Sequence, residues 1–280
     1  MRIIHTDDII KNISEMCIEA NLYLSQDIKD SIRRGKEQEK SMLGCRIFEQ
    51  LEENMDIASA EQIPICQDTG MAVVFLNIGQ DVHIDGIALE DAVNEGIRQG
   101  YTEGYLRKSV VKDPIFRENT KDNTPGIIHY RIVPGDQLEI IVAPKGFGSE
   151  NMSRVYMLKP ADGIEGVKES IWKTVKEAGP NACPPMVVGV GIGGDFEKCA
   201  LMAKQALTRN IEEHSEIAYV RQLEEEMLEK INRLGIGPGG LGGTTTALGV
   251  NIITYPTHIA GLPVAVNICC HVSRHVKRIL

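Results

Sequence analysis

The apolar positions of the N-terminal third of the chain recur at helical spacing. After Thr6, a favourable helix N-cap, the apolar residues between Ile9 and Ala20 fall on one helix face. A single second helix is predicted from after Ser25 to about Leu51, and its charged middle, residues 33–40, is expected to form a solvated face. A third helix is predicted over about 89–106. These patterns predict a helical N-terminal layer.

The rest of the chain alternates between short β-like runs and helices. Strands bounded by turn residues are predicted at five places: 71–76, 129–133, 138–142, 186–191 and 263–268. Further helical patterns are found at three places: 162–178, from about 195 onwards, and through 223–234. We therefore predict an α+β fold, in which the helical N-terminal layer packs with short β-sheets in a single compact unit. We expect one catalytic domain over residues 1–280.

Composition and charge exclude several classes of protein. The chain has 280 residues, of which 42% are hydrophobic and 25% charged, as is typical of globular proteins. Its formal net charge of −9 does not favour nucleic acid as a partner. The N-terminal residues lack the apolar core of a signal peptide, and no apolar run is long enough to cross a membrane. We therefore expect no membrane association and a cytoplasmic location.

Two glycine-rich runs match the pattern G-x-G-x-x-G. Gly189–Gly194 follows a predicted strand and precedes a helix, which leaves a dinucleotide-binding oxidoreductase as an alternative function. No clear βαβ unit with an acidic ribose-binding residue follows, so a tight turn with closely approaching backbones is the preferred interpretation. Gly235–Gly240 follows a helix and contains Pro238, which favours a close-packed turn.

The seven cysteines do not form a complete set of disulfides, because their number is odd. Three of them lie within helical patterns, where a thiol is usually a small buried apolar group: Cys17, Cys45 and Cys199. Three others lie in polar or proline-containing contexts: Cys66, Cys183 and Cys270. Cys269 alternates with Cys270 at a strand end, so one of the two should face a given site. Without a C-x-x-C pair, buried thiols and a metal site both remain possible.

Five longer stretches of sequence, some around these cysteines, form a recognisable pattern. They are Pro-Ile-Cys-Gln-Asp-Thr-Gly at 64–70, Leu-Arg-Lys-Ser at 106–109, Asn-Thr-Pro-Gly-Ile-Ile-His at 123–129, Pro-Lys-Gly-Phe-Gly-Ser-Glu-Asn at 144–151 and Tyr-Pro-Thr-His-Ile-Ala at 255–260. Together they resemble the class I (iron–sulfur) fumarase family, and in particular the alpha subunit of its two-subunit form, which is shared with L-tartrate dehydratase. The resemblance extends in consistent order through nearly the whole chain.

The resemblance implies a 4Fe-4S cluster held by three cysteines, which here match Cys66, Cys183 and Cys270. One iron then has no protein ligand and can act as a Lewis acid. Cys270 is preferred to Cys269 because the family's cysteine lies five residues before a histidine, here His275. The chain departs from the family at Phe147, where a small residue is usual.

The resemblance also implies roles for residues near these cysteines. Asp68 and His258 match catalytic positions, and three residues match substrate-binding positions: Gln67, Arg107 and Gly148. Each has a structural alternative, such as an Asx-turn carboxylate for Asp68 or a solvated arginine for Arg107. His129, Arg274 and His275 are interpreted as structural.

The implied activity is the reversible hydration of fumarate to L-malate by a hydro-lyase. L-tartrate dehydration is the alternative within the family, and a non-catalytic iron–sulfur scaffold is a third possibility. The resemblance places the base that acts at carbon, together with further carboxylate-binding residues, in a separate beta region. We find no such region before Leu280. We therefore expect a beta subunit as partner, an α2β2 assembly and a small C4-dicarboxylate as substrate.

Overall fold

The computed structural model describes residues 2–280 and confirms the α+β class. Within these residues the helices are α1 (Thr6–Leu22), α2 (Gln26–Gln38), α3 (Met42–Glu61), α4 (Leu89–Glu103), α5 (Phe147–Glu150), α6 (Gly163–Ala178), α7 (Phe196–Ala206) and α8 (Ala218–Asn232). The strands are β1 (Arg2–His5), β2 (Met71–Gly79), β3 (Val82–Asp85), β4 (Ile127–Val133), β5 (Leu138–Lys145), β6 (Arg154–Leu158), β7 (Met186–Gly194), β8 (Ala247–Thr257), β9 (Leu262–Cys269) and β10 (Val276–Ile279). None of the helices described is long and apolar enough to cross a bilayer.

The internal contacts of the chain define two compact units. Unit 1 contains the chain up to Leu24, Met55–Phe147 and Arg274–Leu280. Unit 2 contains Ser25–Asn54 and Gly148–Ser273. These two units are defined by packing alone. That residues 1–280 act together as one catalytic domain stays a prediction.

Unit 1 is built around a four-stranded sheet in the order β10-β5-β2-β4. The central strand β2 is antiparallel to β5 and parallel to β4. Buried apolar side chains of α1 and α4 share one core with those of β2 and β5. The two helices approach closely because Gly96 and Gly100 of α4 face the backbone of α1, where a Cβ would lie 2.8 Å from Ile10 O and 2.6 Å from Ser14 O respectively. Strand β2 is the most buried strand of the unit. The residues just before β2 are anchored to the core because they lead directly into this strand.

Unit 2 is built around a second four-stranded sheet, in the order β6-β9-β7-β8. The apolar faces of α6 and α8 share a core with β7, β8 and β9, while α7 packs with Ala265 of β9 in a smaller cluster. Strand β7 is antiparallel to β9, and Val187 pairs with Cys269. The start of β7 and the end of β9 therefore meet at one edge of the sheet. Cys183 precedes β7 and Cys270 follows β9 at this same edge.

Close packing accounts for the glycines of the 189–194 run. A Cβ at Gly189 would lie 2.2 Å from Ala203 O, and one at Gly191 would lie 2.1 Å from Cys199 O, both on α7. The whole run lies within β7, and Asp195 then caps α7 by accepting a hydrogen bond from the Lys198 N–H. These glycines thus permit close approach of strand and helix, and the fold requires no phosphate ligand to explain them.

The single helix predicted after Ser25 is interrupted, and this part of the prediction is wrong. The chain forms α2 and α3, with a break at residues 39–41. Glu39 lies in this break with 7% of its surface exposed, so it does not belong to the solvated face expected for residues 33–40. Its carboxylate accepts hydrogen bonds from the backbone N–H groups of Ser41, Thr244 and Thr245. Burial alone would raise the pKa of Glu39, but these bonds outweigh burial and hold the pKa below its usual value.

Replacing Glu39 with alanine (E39A) is expected to lower the free energy of unfolding by about 2–3 kcal/mol, because buried N–H groups lose a charged acceptor. The folded-state pKa of Glu39 lies below its ordinary value of 4.5. This stabilisation is therefore present above about pH 4.5 and is lost as the pH falls through the folded-state pKa. Thermal unfolding at neutral pH and at about pH 3 measures both effects, with the exposed Glu37→Ala as control. A difference between wild type and E39A that stayed constant over this range would contradict the assignment.

Candidate functional site

In unit 1 the candidate residues Cys66, Gln67 and Asp68 lie in the segment that leads into β2. The Asp68 carboxylate is half-buried and accepts hydrogen bonds through both oxygens. Oδ1 accepts from the Gly70 N–H at 3.0 Å, and Oδ2 accepts from the Phe147 N–H at 3.0 Å. The Asx-turn geometry is therefore present. Because a carboxylate offers about four acceptor positions, these two bonds orient Asp68 and leave it capacity for a ligand or proton.

The thiol of Cys66 is partly exposed and donates a hydrogen bond to Gln67 Oε1 at 3.3 Å. The Gln67 side chain is exposed. The two side chains are therefore available together for a metal and a polar ligand.

The main chain of Arg107 is bonded to the segment that leads into β2. Thr69 Oγ1 donates to Arg107 O at 3.1 Å, and the hydroxyl of Tyr101 donates to Thr69 O at 2.8 Å. The Arg107 side chain is exposed, and its guanidinium forms no hydrogen bond or ion pair with any residue of 2–280. An unpaired guanidinium is suited to a bidentate grip on a carboxylate.

Asn123 is a positioning residue that our sequence interpretation missed. It is fully buried and has a left-handed backbone with φ of 64°. Its Nδ2 donates to Gly70 O at 3.1 Å, and its Oδ1 accepts from the Ser109 N–H at 2.7 Å. One amide thus joins the turn after Asp68 to the segment after Arg107. The available sequence signal was its place at the start of the Asn-Thr-Pro-Gly stretch.

Arg274 holds the main chain of the segment that contains Asp68. Its buried guanidinium donates to Asp68 O and to Pro144 O, the latter at 3.3 Å. Both bonds reach main-chain oxygens, as expected for the structural role assigned to Arg274.

In unit 2 the structure brings Cys183 and Cys270 to neighbouring segments. Cys183 O accepts hydrogen bonds from the backbone N–H of His271 at 3.4 Å and from its Nδ1 at 3.1 Å. Cys183 is exposed and has a left-handed backbone with φ of 52°, which is uncommon for a residue with a side chain. Such conformations concentrate at functional sites.

The expected alternation between Cys269 and Cys270 is present. Cys269 ends β9 and is 6% exposed, whereas Cys270 lies just past the strand and is partly exposed. Exposure thus agrees with the preference for Cys270 as the ligand.

The loop that contains Gly148 is fixed to β9 by Glu150, a residue that the sequence interpretation did not single out. Glu150 forms an ion pair with Lys204 and accepts a hydrogen bond from Asn267 Nδ2 at 3.0 Å. Asn267 lies in β9, three residues before Cys270. The structure thereby attaches the loop to the strand that leads to this cysteine.

Gly148 and His258 are both exposed. The Nδ1 of His258 accepts from the Ala260 N–H at 3.1 Å, so the neutral ring carries its proton on Nε2. A side chain at Gly148 would meet no atom within 4 Å, so its backbone has open space beside it. The roles of these two residues stay predictions.

The cysteines differ in burial and in the local structure around them. Burial raises the pKa of Cys17 to about 12 and also raises the pKa of Cys199, so both remain protonated thiols. The partly exposed or exposed thiols are Cys45, Cys66, Cys183 and Cys270, and none of these is in a disulfide. Cys45 lies within α3, whereas the other three lie outside the helices and strands. Metal ligation requires the thiolate, so the buried Cys17 and Cys199 are poor candidates for ligands.

These thiols fit the donor set of an iron–sulfur cluster. Among residues 2–280, no three His, Cys, Asp or Glu side chains surround a point closely enough to hold a single metal ion. A four-iron cluster has a different requirement, because each cysteine ligand binds its own iron. Thiolate sulfur is the donor that such a cluster takes, and Cys66, Cys183 and Cys270 offer it outside the helices and strands.

Comparison with known proteins identifies the family of the chain. A family model described as fumarate hydratase (Fumerase) matches residues 10–279. A protein of Methanocaldococcus jannaschii with the provisional name L(+)-tartrate dehydratase subunit alpha is 42% identical over 274 residues, which cover 95% of this chain and 96% of that protein. The L(+)-tartrate dehydratase alpha subunits of Escherichia coli K12 and Shigella sonnei are each 32% identical over 272 residues, covering 95% of this chain and 88% of theirs. The chain belongs to the fumarate hydratase (Fumerase) family of hydro-lyases.

Proposed function

We propose that this chain is the alpha subunit of an iron–sulfur hydro-lyase that hydrates fumarate reversibly to L-malate. The observation that carries the proposal is that three at least partly exposed thiols lie outside the helices and strands, in a chain of this family. Cys66, Cys183 and Cys270 would hold a 4Fe-4S cluster. We expect the enzyme to work in the cytoplasm, where a reducing environment keeps these thiols free.

The reaction adds water across a double bond that lies between two carboxylates. When bound, the cluster supplies a Lewis-acidic iron for the hydroxyl group. The Arg107 guanidinium binds one substrate carboxylate through two parallel hydrogen bonds, because it has no competing partner within residues 2–280. The Gly148 N–H donates to a substrate carboxylate, and Gln67 hydrogen-bonds the substrate.

Proton movement at the hydroxyl oxygen is assigned to Asp68. Its backbone hydrogen bonds fix the direction of the carboxylate and leave acceptor positions for the proton. The Nε2–H of His258 donates a second hydrogen bond in the site. Asn123 holds the Asp68 and Arg107 segments in one arrangement through its buried amide.

A beta subunit would supply the base that acts at the substrate carbon, in an α2β2 assembly. The relatives described above are named as alpha subunits, which supports a partner chain for this protein as well. Completing one site from two chains requires a persistent interface.

L-tartrate dehydration is the second candidate, and the names of the relatives favour it. L-tartrate is also a C4-dicarboxylate that loses water from adjacent carbons. The same residues of the alpha chain would therefore serve both reactions.

Anaerobic coexpression with a beta-type chain from the same genome tests the function. The rates of fumarate hydration and of oxaloacetate formation from L-tartrate are compared, with the alpha chain alone as control. We expect kcat/KM for fumarate to exceed that for L-tartrate by roughly tenfold or more, a difference of about 1.4 kcal/mol in transition-state binding. The reverse order would establish the tartrate reaction instead. Full activity of the alpha chain alone would contradict the need for a beta subunit.

A further inference from the structure

The loop between α4 and β4, residues 104–126, presents large apolar side chains to solvent. Tyr105 is 91% exposed, Ile115 is 79% exposed and Phe116 is 87% exposed. Single exposed apolar residues are ordinary, but several on one projection indicate an interaction surface.

The base of this loop has a fixed backbone. The Lys112 N–H donates to Glu118 O at 2.7 Å, and the Thr120 N–H donates to Val110 O at 3.0 Å. The two sides of the loop are therefore held together like a short hairpin.

The tip of the loop is ordered by Asp113. Its Oδ1 accepts from the backbone N–H groups of Ile115 at 2.8 Å and of Phe116 at 2.7 Å. This turn holds the two apolar side chains outward. Preorganisation of this kind lowers the entropic cost of binding a partner.

The charge of the loop is opposite to that of the chain. Residues 104–126 contain five basic and three acidic side chains, in a chain of net charge −9. The acidic groups are already engaged: Glu118 pairs with Lys112, Asp122 pairs with Arg98, and Asp113 binds the backbone. Four of the five cations make no ion pair with any residue of 2–280: Arg107, Lys108, Arg117 and Lys121. The exposed apolar groups are thus accompanied by unpaired positive charge.

We propose that the 104–126 loop is the docking surface for the beta subunit, which would receive Phe116 and Ile115 in an apolar pocket bordered by acidic side chains. This inference rests on the proposed function. Arg107, the proposed carboxylate-binding residue, lies near the start of the loop, so a chain that completes the same site must approach the loop. A second copy of this chain is a poorer occupant, because two-fold pairing of the loop would oppose like charges.

Replacing Phe116 with serine (F116S) tests the proposal on the full-length chain. Calorimetric titration of purified alpha with the beta-type chain should show association weakened roughly tenfold or more, as for a central aromatic contact. F116S should retain the thermal midpoint and iron content of wild type, since Phe116 is almost fully exposed. The matched control is Met42→Ser, because Met42 is 75% exposed and lies in unit 2. It should bind beta as wild type does.

The possible outcomes separate this inference from the proposed function. If wild-type alpha and beta do not associate, the need for a beta subunit fails and this inference fails with it. If they associate and F116S binds equally well, only the docking surface is overturned. Loss of alpha self-association in F116S with unchanged beta binding would also overturn it, in favour of a surface between alpha copies.

Discussion

Replacing Cys183 with serine (C183S) is expected to abolish stable cluster binding and with it essentially all hydratase activity. Serine preserves the size of the side chain but is a much poorer ligand for iron than a thiolate. Cys183 is exposed and outside the helices, so the substitution creates no buried polar group. Iron and sulfide analysis after anaerobic reconstitution, together with the visible absorption of the cluster, measures the loss.

The matched control for C183S is Cys45→Ser in the same unit. Cys45 Sγ donates to Glu39 O at 3.5 Å, a hydrogen bond that a serine hydroxyl can also donate. This variant should bind iron and sulfide in wild-type amounts. A C183S protein with a full complement of iron and sulfide would refute the assignment of Cys183 as a ligand, whatever its activity.

Replacing Asp68 with asparagine (D68N) is expected to lower kcat by about 10²–10⁴-fold, the usual contribution of a positioned acid or base. Asparagine can still accept from the Gly70 N–H through Oδ1, but it cannot accept from the Phe147 N–H while its Nδ2 occupies the second position. The cost to folding should be only about 1 kcal/mol. KM should change much less than kcat, because Arg107 still binds the substrate. Steady-state kinetics at matched cluster content measures both.

The Asx-turn interpretation of Asp68 makes a different prediction. A residue that only orders its turn should lose stability without a large change in kcat at full cluster occupancy. The control is Asp195→Asn, since Asp195 caps α7 through the Lys198 N–H. It should lower the thermal midpoint slightly and leave kcat unchanged. A D68N enzyme that behaves like this control would contradict the catalytic role.

Much of the fold followed from hydrophobic periodicity. Helices α1 and α4 lie where the 3.6-residue pattern predicts them, and β5 and β9 cover the predicted strands. These elements have one face buried against a sheet or helix, which gives a strong periodic signal. Strand β8 was not predicted, because its long buried run lacks alternation and follows a glycine-rich segment.

The sequence by itself determined the chemistry that the chain can provide: three thiols in polar or proline-containing contexts, a carboxylate two residues after one of them, and an arginine in a polar segment. These follow from local residue order and from stretches of sequence typical of one family. Only the tertiary structure decided which charged residues are buried and what holds the site segments. From the sequence, Glu39 is expected to be solvated, but in the structure its carboxylate accepts hydrogen bonds from Thr244 and Thr245. Asn123 has the sequence context of a turn residue, but in the structure its amide bonds the main chain of Gly70 and Ser109. Hydrogen bonds between positions far apart in the chain leave no periodic signal, because they depend on the path of the backbone and not on neighbouring residues.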